Sequence, residues 1–200
     1  CSWPGTPGTP PATTAGMAIE RQGSSGVMSI ATAAKSIICN DYDVAVAGGV
    51  ESISLTQNKH KNSYRSQSAA AIEVDPTAYM PMLETAEVVS DRYGISREMQ
   101  DEYSLQSQQR TAVAQESGIF NDEIVPMQAV KAVFNRETKE TSYEEVTVAK
   151  DECNRPSTTL EGLQGLAPVW KDGQWVKEGR FITAGNSSQL SEGATTSLLM

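Results

Sequence analysis

The sequence is poor in cysteine, histidine and basic residues, and it has no long apolar run. It holds 1 histidine and 3 cysteines, which lie far apart at Cys1, Cys39 and Cys153, so neither a disulfide framework nor a metal site is predicted. With 16 basic against 25 acidic residues and a net charge of −9, the chain lacks the electropositive surface that nucleic-acid binding requires. No apolar stretch is long enough to span a bilayer, and no signal-peptide pattern opens the chain. These absences predict a soluble, cytoplasmic protein without a metal, nucleic-acid or membrane partner.

Residues 1–16 are rich in proline, threonine and glycine. Proline fixes φ and removes a hydrogen-bond donor, and the segment has no periodic apolar face, so we predict an unstructured leader. Because the chain opens with Cys1 rather than methionine, we also expect it to be a piece of a longer protein.

The pattern changes at Met17, where the first regular elements are predicted. Apolar residues indicate a strand at 17–19, glycines and serines a tight turn at 23–26, and a spacing of three and four residues an amphipathic helix over 27–37. A buried strand follows at 44–47 and is predicted to end in a turn at the next two glycines. These elements predict a right-handed βαβ unit with parallel strands.

The middle of the chain is predicted to leave the sheet, because polar residues dominate 52–83. One helix is indicated around 84–89 and ends at Gly94, and Ser96 caps the next, which Gly118 closes. Shorter elements are predicted further along: strands at 124–126, 143–148 and 180–184, and a brief helical face at Leu160, Leu163 and Leu166.

The turn at 22–27 has the most informative local geometry. A side chain at a strand–turn–helix junction lies near free N–H groups, which stabilise an anion and lower the pKa of a thiol. Its Gly-Ser-Ser-Gly sequence misses the hydrolase pattern Gly-x-Ser-x-Gly by one position and has too few glycines for a dinucleotide turn. From these residues alone, a purely structural glycine turn stays open as the alternative.

Four ordered motifs in this sequence resemble those of the thiolases, and the resemblance runs from Gly16 to Met200. The motifs lie at residues 21–34, 46–52, 85–87 and 183–188. The resemblance implies an α/β fold, namely part of a layered αβαβα sheet structure with an inserted α+β loop domain. It corresponds to the amino-terminal half of the family fold, and we expect truncation at both ends.

The resemblance also implies a domain organisation. It divides the chain into an unmatched leader at 1–16, a sheet core at 17–51, the loop domain with its connections at 52–179, and a return to the sheet core at 180–200. The first family strands are expected to be missing upstream. The second half is expected to be missing downstream, together with the family's Gly-His-Pro and Cys-x-Gly motifs.

The activity that the resemblance implies is acyl transfer between acyl-CoA and acetyl-CoA, as 3-ketoacyl-CoA thiolysis or condensation. In the family, the nucleophilic cysteine is the first residue of Cys-Ser-Ser-Gly, and Gly23 occupies that position here. Glycine has no side chain, so Gly23 cannot form a thioester and no catalytic residue is predicted. Coenzyme A thioester is expected as the substrate, with no separate cofactor.

Binding residues carry over from the family to three positions. Ser188, in the Gly-Asn-x-Ser motif, is expected to contact the pantetheine arm, and Met82 to line the same channel. Arg155 is expected near the adenine, where a planar guanidinium can stack and face phosphate. The alternatives are a turn role for Ser188, a core position for Met82 and a solvated charge at Arg155.

Two functional hypotheses follow. The first is a thiolase-family acyltransferase by descent that is inactive as it stands. The alternative is a non-catalytic truncated homologue that binds CoA weakly or pairs with a thiolase subunit. Under either hypothesis we expect a homo-oligomer or a mixed assembly, because open sheet edges recruit another chain. The resemblance to the thiolases implies that the contact is the segment before the turn, at 17–22.

Overall fold

The computed structural model describes residues 13–200, which form an α/β structure, so most of the predicted leader at 1–16 lies outside the described residues. The described helices are α1 (Ser25–Ile38), α2 (Ile53–Thr56), α3 (Ala69–Val74), α4 (Met82–Tyr93), α5 (Arg97–Glu116) and α6 (Leu160–Gln164). The described strands are β1 (Ala45–Ser52), β2 (Met127–Phe134), β3 (Thr141–Val148) and β4 (Glu192–Leu199). None of the helices within 13–200 is both long and apolar enough to cross a membrane.

The chain divides into two compact units. The first unit contains the described residues up to 62 together with 190–200, and the second contains residues 63–189. The assignment of 17–51 and 180–200 to a sheet core, and of 52–179 to a loop domain, stays a prediction.

The first unit consists of α1 and a two-stranded sheet. Strands β1 and β4 pair antiparallel, from Ala45 opposite Leu199 to Ser52 opposite Glu192. Helix α1 packs against β1, and the Ser29 hydroxyl donates to the Gly48 carbonyl at 2.7 Å. The predicted helix over 27–37 and the strand at 44–47 are therefore confirmed.

The predicted parallel βαβ arrangement is wrong. Residues 17–21 form no strand, because no strand of the described residues offers hydrogen-bond partners to them, and β1 pairs antiparallel with β4. The turn predicted after residue 47 is also wrong, since Gly48 and Gly49 both lie inside β1. A Cβ on Gly48 would lie 2.2 Å from the carbonyl oxygen of Thr195, so glycine is what allows β4 to approach.

The two long helices of the second unit have the predicted capping residues, whereas α3 lies in a stretch where no helix was predicted. Helix α4 ends at Gly94, whose φ of 65° is left-handed, and α5 begins after Ser96, whose hydroxyl accepts the Met99 N–H at 3.2 Å. Gly118, with a φ of 73°, follows the end of α5. Helix α6 contains two of the three leucines whose spacing predicted it.

The predicted strands of the second unit had a mixed outcome. The strand at 143–148 is confirmed within β3, which pairs antiparallel with β2 as a hairpin. The strand at 124–126 is wrong, because these residues precede β2 and Pro126 has no N–H to donate. The strand at 180–184 is also wrong, since it contributes only an isolated bridge between Thr183 and Pro168.

Little hydrophobic surface is fully buried in the described residues. The buried hydrophobic side chains there are Ala33 and Ala47 in the first unit, and Leu163 and Ile182 in the second. The largest fully buried side chains are polar or charged: Glu84, Glu87, Asp101 and Thr183. The interior of the second unit is therefore organised around satisfied polar groups rather than around a large apolar core.

Candidate functional site

The turn at the start of α1 places Gly23 in open space. Gln22–Ser24 form a single 3₁₀ turn, and the Ser25 hydroxyl braces it by accepting the Arg21 N–H at 2.8 Å and donating to the Gln22 carbonyl at 2.7 Å. A Cβ on Gly23 would meet no atom within 4 Å, and its φ is not left-handed. An ordinary side chain would therefore fit at position 23 without strain.

Met82 is the first residue of α4, and its side chain is 84% exposed. The alternative that Met82 belongs to the core is therefore wrong. The reason is the orientation of α4, which buries Glu84, Glu87 and Ser90 at intervals of three residues. Met82 lies off that buried face, where a ligand can reach its thioether.

Arg155 is exposed, while the backbone around it is held firmly. Its N–H donates to the Gln108 side-chain oxygen at 2.8 Å, and the neighbouring Asn154 amide donates to the same oxygen at 2.8 Å. Its carbonyl accepts the Thr158 N–H at 3.0 Å. Within residues 13–200 no ion pair engages the guanidinium, so it is free to meet a phosphate or to stay solvated.

Ser188 is exposed as well, and its hydroxyl donates to the Gln189 carbonyl at 3.1 Å. The Gln189 side-chain amide donates to the Cys153 carbonyl at 3.2 Å. This bond joins the segment that carries Ser188 to the segment that carries Arg155. Two of the three predicted binding residues thus lie on adjoining segments of the second unit.

The turn that precedes Ser188 is closed by its own side chains. The Asn186 side-chain oxygen accepts the Thr183 N–H at 2.8 Å, and the Thr183 hydroxyl accepts the N–H groups of Gly185 and Asn186 at 3.2 and 3.3 Å. The Ser187 hydroxyl donates to the Thr183 carbonyl at 2.7 Å. Thr183 is fully buried, so these bonds fix the shape of the turn from within.

A carboxylate of α4 holds the stretch before this turn. Glu87 is 2% exposed and accepts the N–H groups of Arg180, Phe181 and Ile182 at 2.9, 3.1 and 2.8 Å. In a strand, successive N–H groups point alternately to the two edges, whereas these three consecutive N–H groups converge on one carboxylate. The carboxylate therefore holds the segment in an irregular conformation, which explains why its β-pattern does not produce a strand.

A second carboxylate, on α5, holds the turn itself. Asp101 is fully buried and accepts the Asn186 amide at 3.2 Å and the Arg97 guanidinium at 2.8 Å. Arg97 also donates to the carbonyls of Leu163 and Leu166, at 2.6 and 3.1 Å. The pair is therefore embedded in hydrogen bonds, as a buried ion pair must be if it is not to destabilise the fold.

The comparison with known families settles what kind of chain this is. A family model described as the thiolase N-terminal domain matches residues 8–200. This chain belongs to the thiolase family. The match begins inside the predicted leader, and the family predicted from the four sequence motifs is confirmed.

Individual thiolases agree with this assignment. The peroxisomal 3-ketoacyl-CoA thiolase A of Rattus norvegicus is 41% identical over 184 residues, which cover 91% of this chain and 39% of that protein. The crystal structure of human mitochondrial 3-ketoacyl-CoA thiolase in complex with CoA shares 34% identity at a TM-score of 0.63, over 88% of this chain and 42% of that one. The dimeric peroxisomal thiolase of Saccharomyces cerevisiae shares 28% identity at a TM-score of 0.67, over 90% and 42%. This thiolase-family chain thus spans about two fifths of the length of its relatives.

The buried carboxylates of this thiolase chain were not predicted from its sequence. The motif at 85–87 includes Glu87, and the sequence assigned no buried role to it. Glu84 was predicted only as the start of a helical pattern, and Asp101 only as an acidic residue that favours the amino end of α5. A signal was present in the acidic residues at 84 and 87, which share one face of a short helix. Acidic side chains on a helix are ordinarily solvated, so that pattern alone did not distinguish a buried carboxylate from an exposed one.

Proposed function

We propose that this chain binds coenzyme A thioesters through Met82, Arg155 and Ser188 and, as it stands, does not transfer their acyl group. By descent it is a thiolase-family acyltransferase, of the kind that exchanges acyl groups between acyl-CoA and acetyl-CoA. The observation that carries the absence of acyl transfer is Gly23, the first residue of Gly-Ser-Ser-Gly, where the resemblance implies the nucleophilic cysteine of the family.

The chemistry at this position depends on a thiolate. In acyl transfer, the thiolate attacks the thioester carbonyl, the bond from carbon to the CoA sulfur breaks, and CoA leaves as the thiol once it gains a proton. The amino end of α1 favours the anionic form of a thiol placed there. Gly23 offers neither a nucleophile nor a group that could hold the acyl chain, so no acyl-enzyme forms at this turn.

Labelled acetyl-CoA tests the proposal directly. We expect no acetyl group on the tryptic peptide containing residue 23 of the natural chain, and slow acylation of that peptide, without turnover, in the Gly23→Cys variant. The open space at position 23 makes this substitution sterically neutral. Gly23→Ala is the matched control, since it adds a Cβ but no thiol.

Two other cysteine side chains provide an internal background. Cys39 is exposed and Cys153 is partly buried, so chemical acetylation of these thiols must be quantified in the same digests. Turnover of acetyl-CoA by the natural chain would refute the proposal. Acylation of Gly23→Cys no greater than that of Cys39 would show that the turn does not activate a thiol.

A non-catalytic partner role is the second candidate, and one observation favours it. The first unit exposes apolar side chains on both paired strands, with Val46, Val50 and Leu198 at 71%, 81% and 60% exposure. Exposed apolar faces and open strand edges recruit another chain. Light scattering after size-exclusion chromatography should therefore report a dimer, a larger assembly or a complex with a thiolase subunit, whereas a monodisperse monomer with a sharp melt contradicts this role.

The cellular location is also a proposal. We propose the cytoplasm, on the sequence pattern alone, while the relatives described above carry the words peroxisomal and mitochondrial in their names. Imaging of the tagged full-length protein in its own cells separates the three compartments.

A further inference from the structure

Residues 180–188 form an irregular segment whose backbone is nevertheless well bonded. Within it, the structure records a single isolated bridge, at Thr183, and no helix or strand. A loop of this kind ordinarily gives its N–H groups to water. Here the first three N–H groups, at 180–182, all point at one carboxylate, that of Glu87.

We propose that Glu87 is a positioning residue that fixes residues 180–188 and thereby sets the place of Ser188 for the pantetheine arm. The proposal rests on the CoA-binding function proposed above. Glu87 has no role in bond making or breaking. It acts on the ligand only through the segment that it holds.

The bonds run from Glu87 to the turn before Ser188 without a gap. Glu87 holds the N–H of Phe181, and the carbonyl of the same residue accepts the Asn186 amide at 2.9 Å. Asn186 in turn closes the turn onto Thr183 at 2.8 Å. Ser188 lies two residues after Asn186. A shift of 180–182 would therefore move the turn that determines the position of Ser188.

The geometry suits a carboxylate better than any neutral group. Two oxygens accept three N–H groups, with the Phe181 N–H shared between them at 3.1 and 3.2 Å. An amide in the same place has one oxygen, and its own NH₂ would face the N–H donors. The carboxylate also sits tightly, because a Cβ on Gly179 would lie 2.8 Å from its Oε1.

Glu84 provides a matched control one turn away on the same helix. It is 1% exposed, compared with 2% for Glu87, and it also accepts backbone N–H groups, at Trp175 and at Val176, the latter at 2.9 Å. These donors belong to a different loop. Glu84→Gln and Glu87→Gln therefore each remove one buried charge at comparable burial, but Glu84→Gln keeps the single oxygen, Oε1, that accepts both N–H groups. Glu87→Gln replaces one of the two oxygens that hold 180–182.

The experiment uses the full 200-residue chain, labelled with ¹⁵N, and follows amide hydrogen exchange residue by residue. Since a hydrogen bond to a charged group is among the stronger ones, Glu87→Gln should speed exchange at 180–182 and at Asn186 by about tenfold or more. Glu84→Gln should leave exchange at 180–182 unchanged and should speed exchange at Trp175 and Val176 by less, because its remaining oxygen still accepts both N–H groups. For the same reason, CoA titrated into each protein should bind about tenfold more weakly to Glu87→Gln and within about twofold of the natural chain to Glu84→Gln.

Each outcome decides the proposal. Equal losses of CoA affinity in the two variants, or released amides at 180–182 with unchanged CoA affinity, would overturn it. If the natural chain binds no CoA, the proposed function fails, and the exchange data alone still decide whether Glu87 fixes the segment. If Glu87→Gln does not fold, exchange in the natural chain decides: protected amides at 180–182 support the proposal, and rates equal to those of exposed loops refute it.

Discussion

The second unit of this chain secures irregular backbone with buried carboxylates, whereas the first unit relies on a two-stranded ladder. Glu84, Glu87 and Asp101 are each exposed by 2% or less and accept N–H groups from segments far away in sequence. Desolvating a carboxylate is costly, and the cost is recovered only when N–H groups or a cation satisfy it. Much of the irregular backbone of the second unit is therefore held in place by these three carboxylates.

The first unit is stabilised by different contacts. Its described part contains β1, β4 and helices α1 and α2, and Ala33 and Ala47 are the hydrophobic side chains that it buries. Small side chains contribute little hydrophobic free energy, so backbone pairing and close contact between the strands matter more. The comparison teaches that the second unit depends on buried charges, whereas the first depends on close pairing of its two strands.

The strongest test of this contrast is Asp101→Asn. It leaves the Arg97 guanidinium, whose side chain is 17% exposed, without its carboxylate, so we expect the free energy of unfolding to fall by about 3 kcal/mol. Asp91→Asn is the control, because Asp91 and Arg180 form a pair in which both side chains are about two-thirds exposed. That change should cost less than about 1 kcal/mol.

Urea unfolding followed by tryptophan fluorescence measures both variants. Trp170 reports on the second unit, since its indole N–H donates to the Val176 carbonyl at 3.0 Å. Equal midpoints for Asp101→Asn and Asp91→Asn would show that burial of the pair does not matter. The contrast between the units would then lose its basis.

Local signals accounted for what could be predicted of the fold. Helix α5 was predicted because Ser96 caps it and Gly118 follows it, and both act within a few residues of the helix ends. The thiolase motifs identified the family for the same reason, since each is contiguous. Met82 and Ser188 are exposed, and their expected contacts with the pantetheine arm stay predictions.

Long-range satisfaction of polar groups accounted for what could not be predicted. Residues 180–184 have the composition of a strand, but their N–H groups go to Glu87, more than ninety positions earlier in the chain. The strand at 17–19 was predicted from its residues alone, and no partner strand exists for it among the described residues. The spacing of apolar residues indicates which secondary structure a segment favours, but it does not indicate which segment will accept its hydrogen bonds.

A smaller effect is expected from added volume in the first unit. Gly48→Ala places a Cβ 2.2 Å from the Thr195 carbonyl oxygen, so β1 and β4 must separate, at a cost of about 1–3 kcal/mol. Gly49→Ala is the matched control, because its Cβ would lie 3.4 Å from the Gly26 Cα, an ordinary contact. It should leave stability within about 1 kcal/mol of the natural chain.

Amide spectra locate this effect. Cross-peaks of Thr195 and Thr196 on β4 should move in Gly48→Ala, since these residues face the new methyl group, and should stay in place in Gly49→Ala. Amides at 180–182 in the second unit should not change in either variant. A shift at 180–182 as large as that on β4 would show that the two units do not respond separately.

The smallest expected effect is a pH dependence at the start of α5. Hydrogen bonds from its own backbone N–H and then from the Ser96 hydroxyl lower the pKa of Glu98 below its ordinary value of 4.5. A carboxyl whose pKa is lowered in the folded state stabilises that state above its unfolded pKa, and the contribution disappears as the pH falls through the folded pKa. Glu98→Gln should therefore melt slightly below the natural chain at neutral pH.

The melting difference between the natural chain and Glu98→Gln should shrink as the pH falls through and below about 4.5, because the natural carboxyl becomes protonated. Ser96→Ala provides the control background, since it removes the second of the two hydrogen bonds that lower the pKa of Glu98. In that background, the pH-dependent part of the difference should become smaller. A melting difference that stays constant across the acid range would show that the charge of Glu98 contributes nothing to α5.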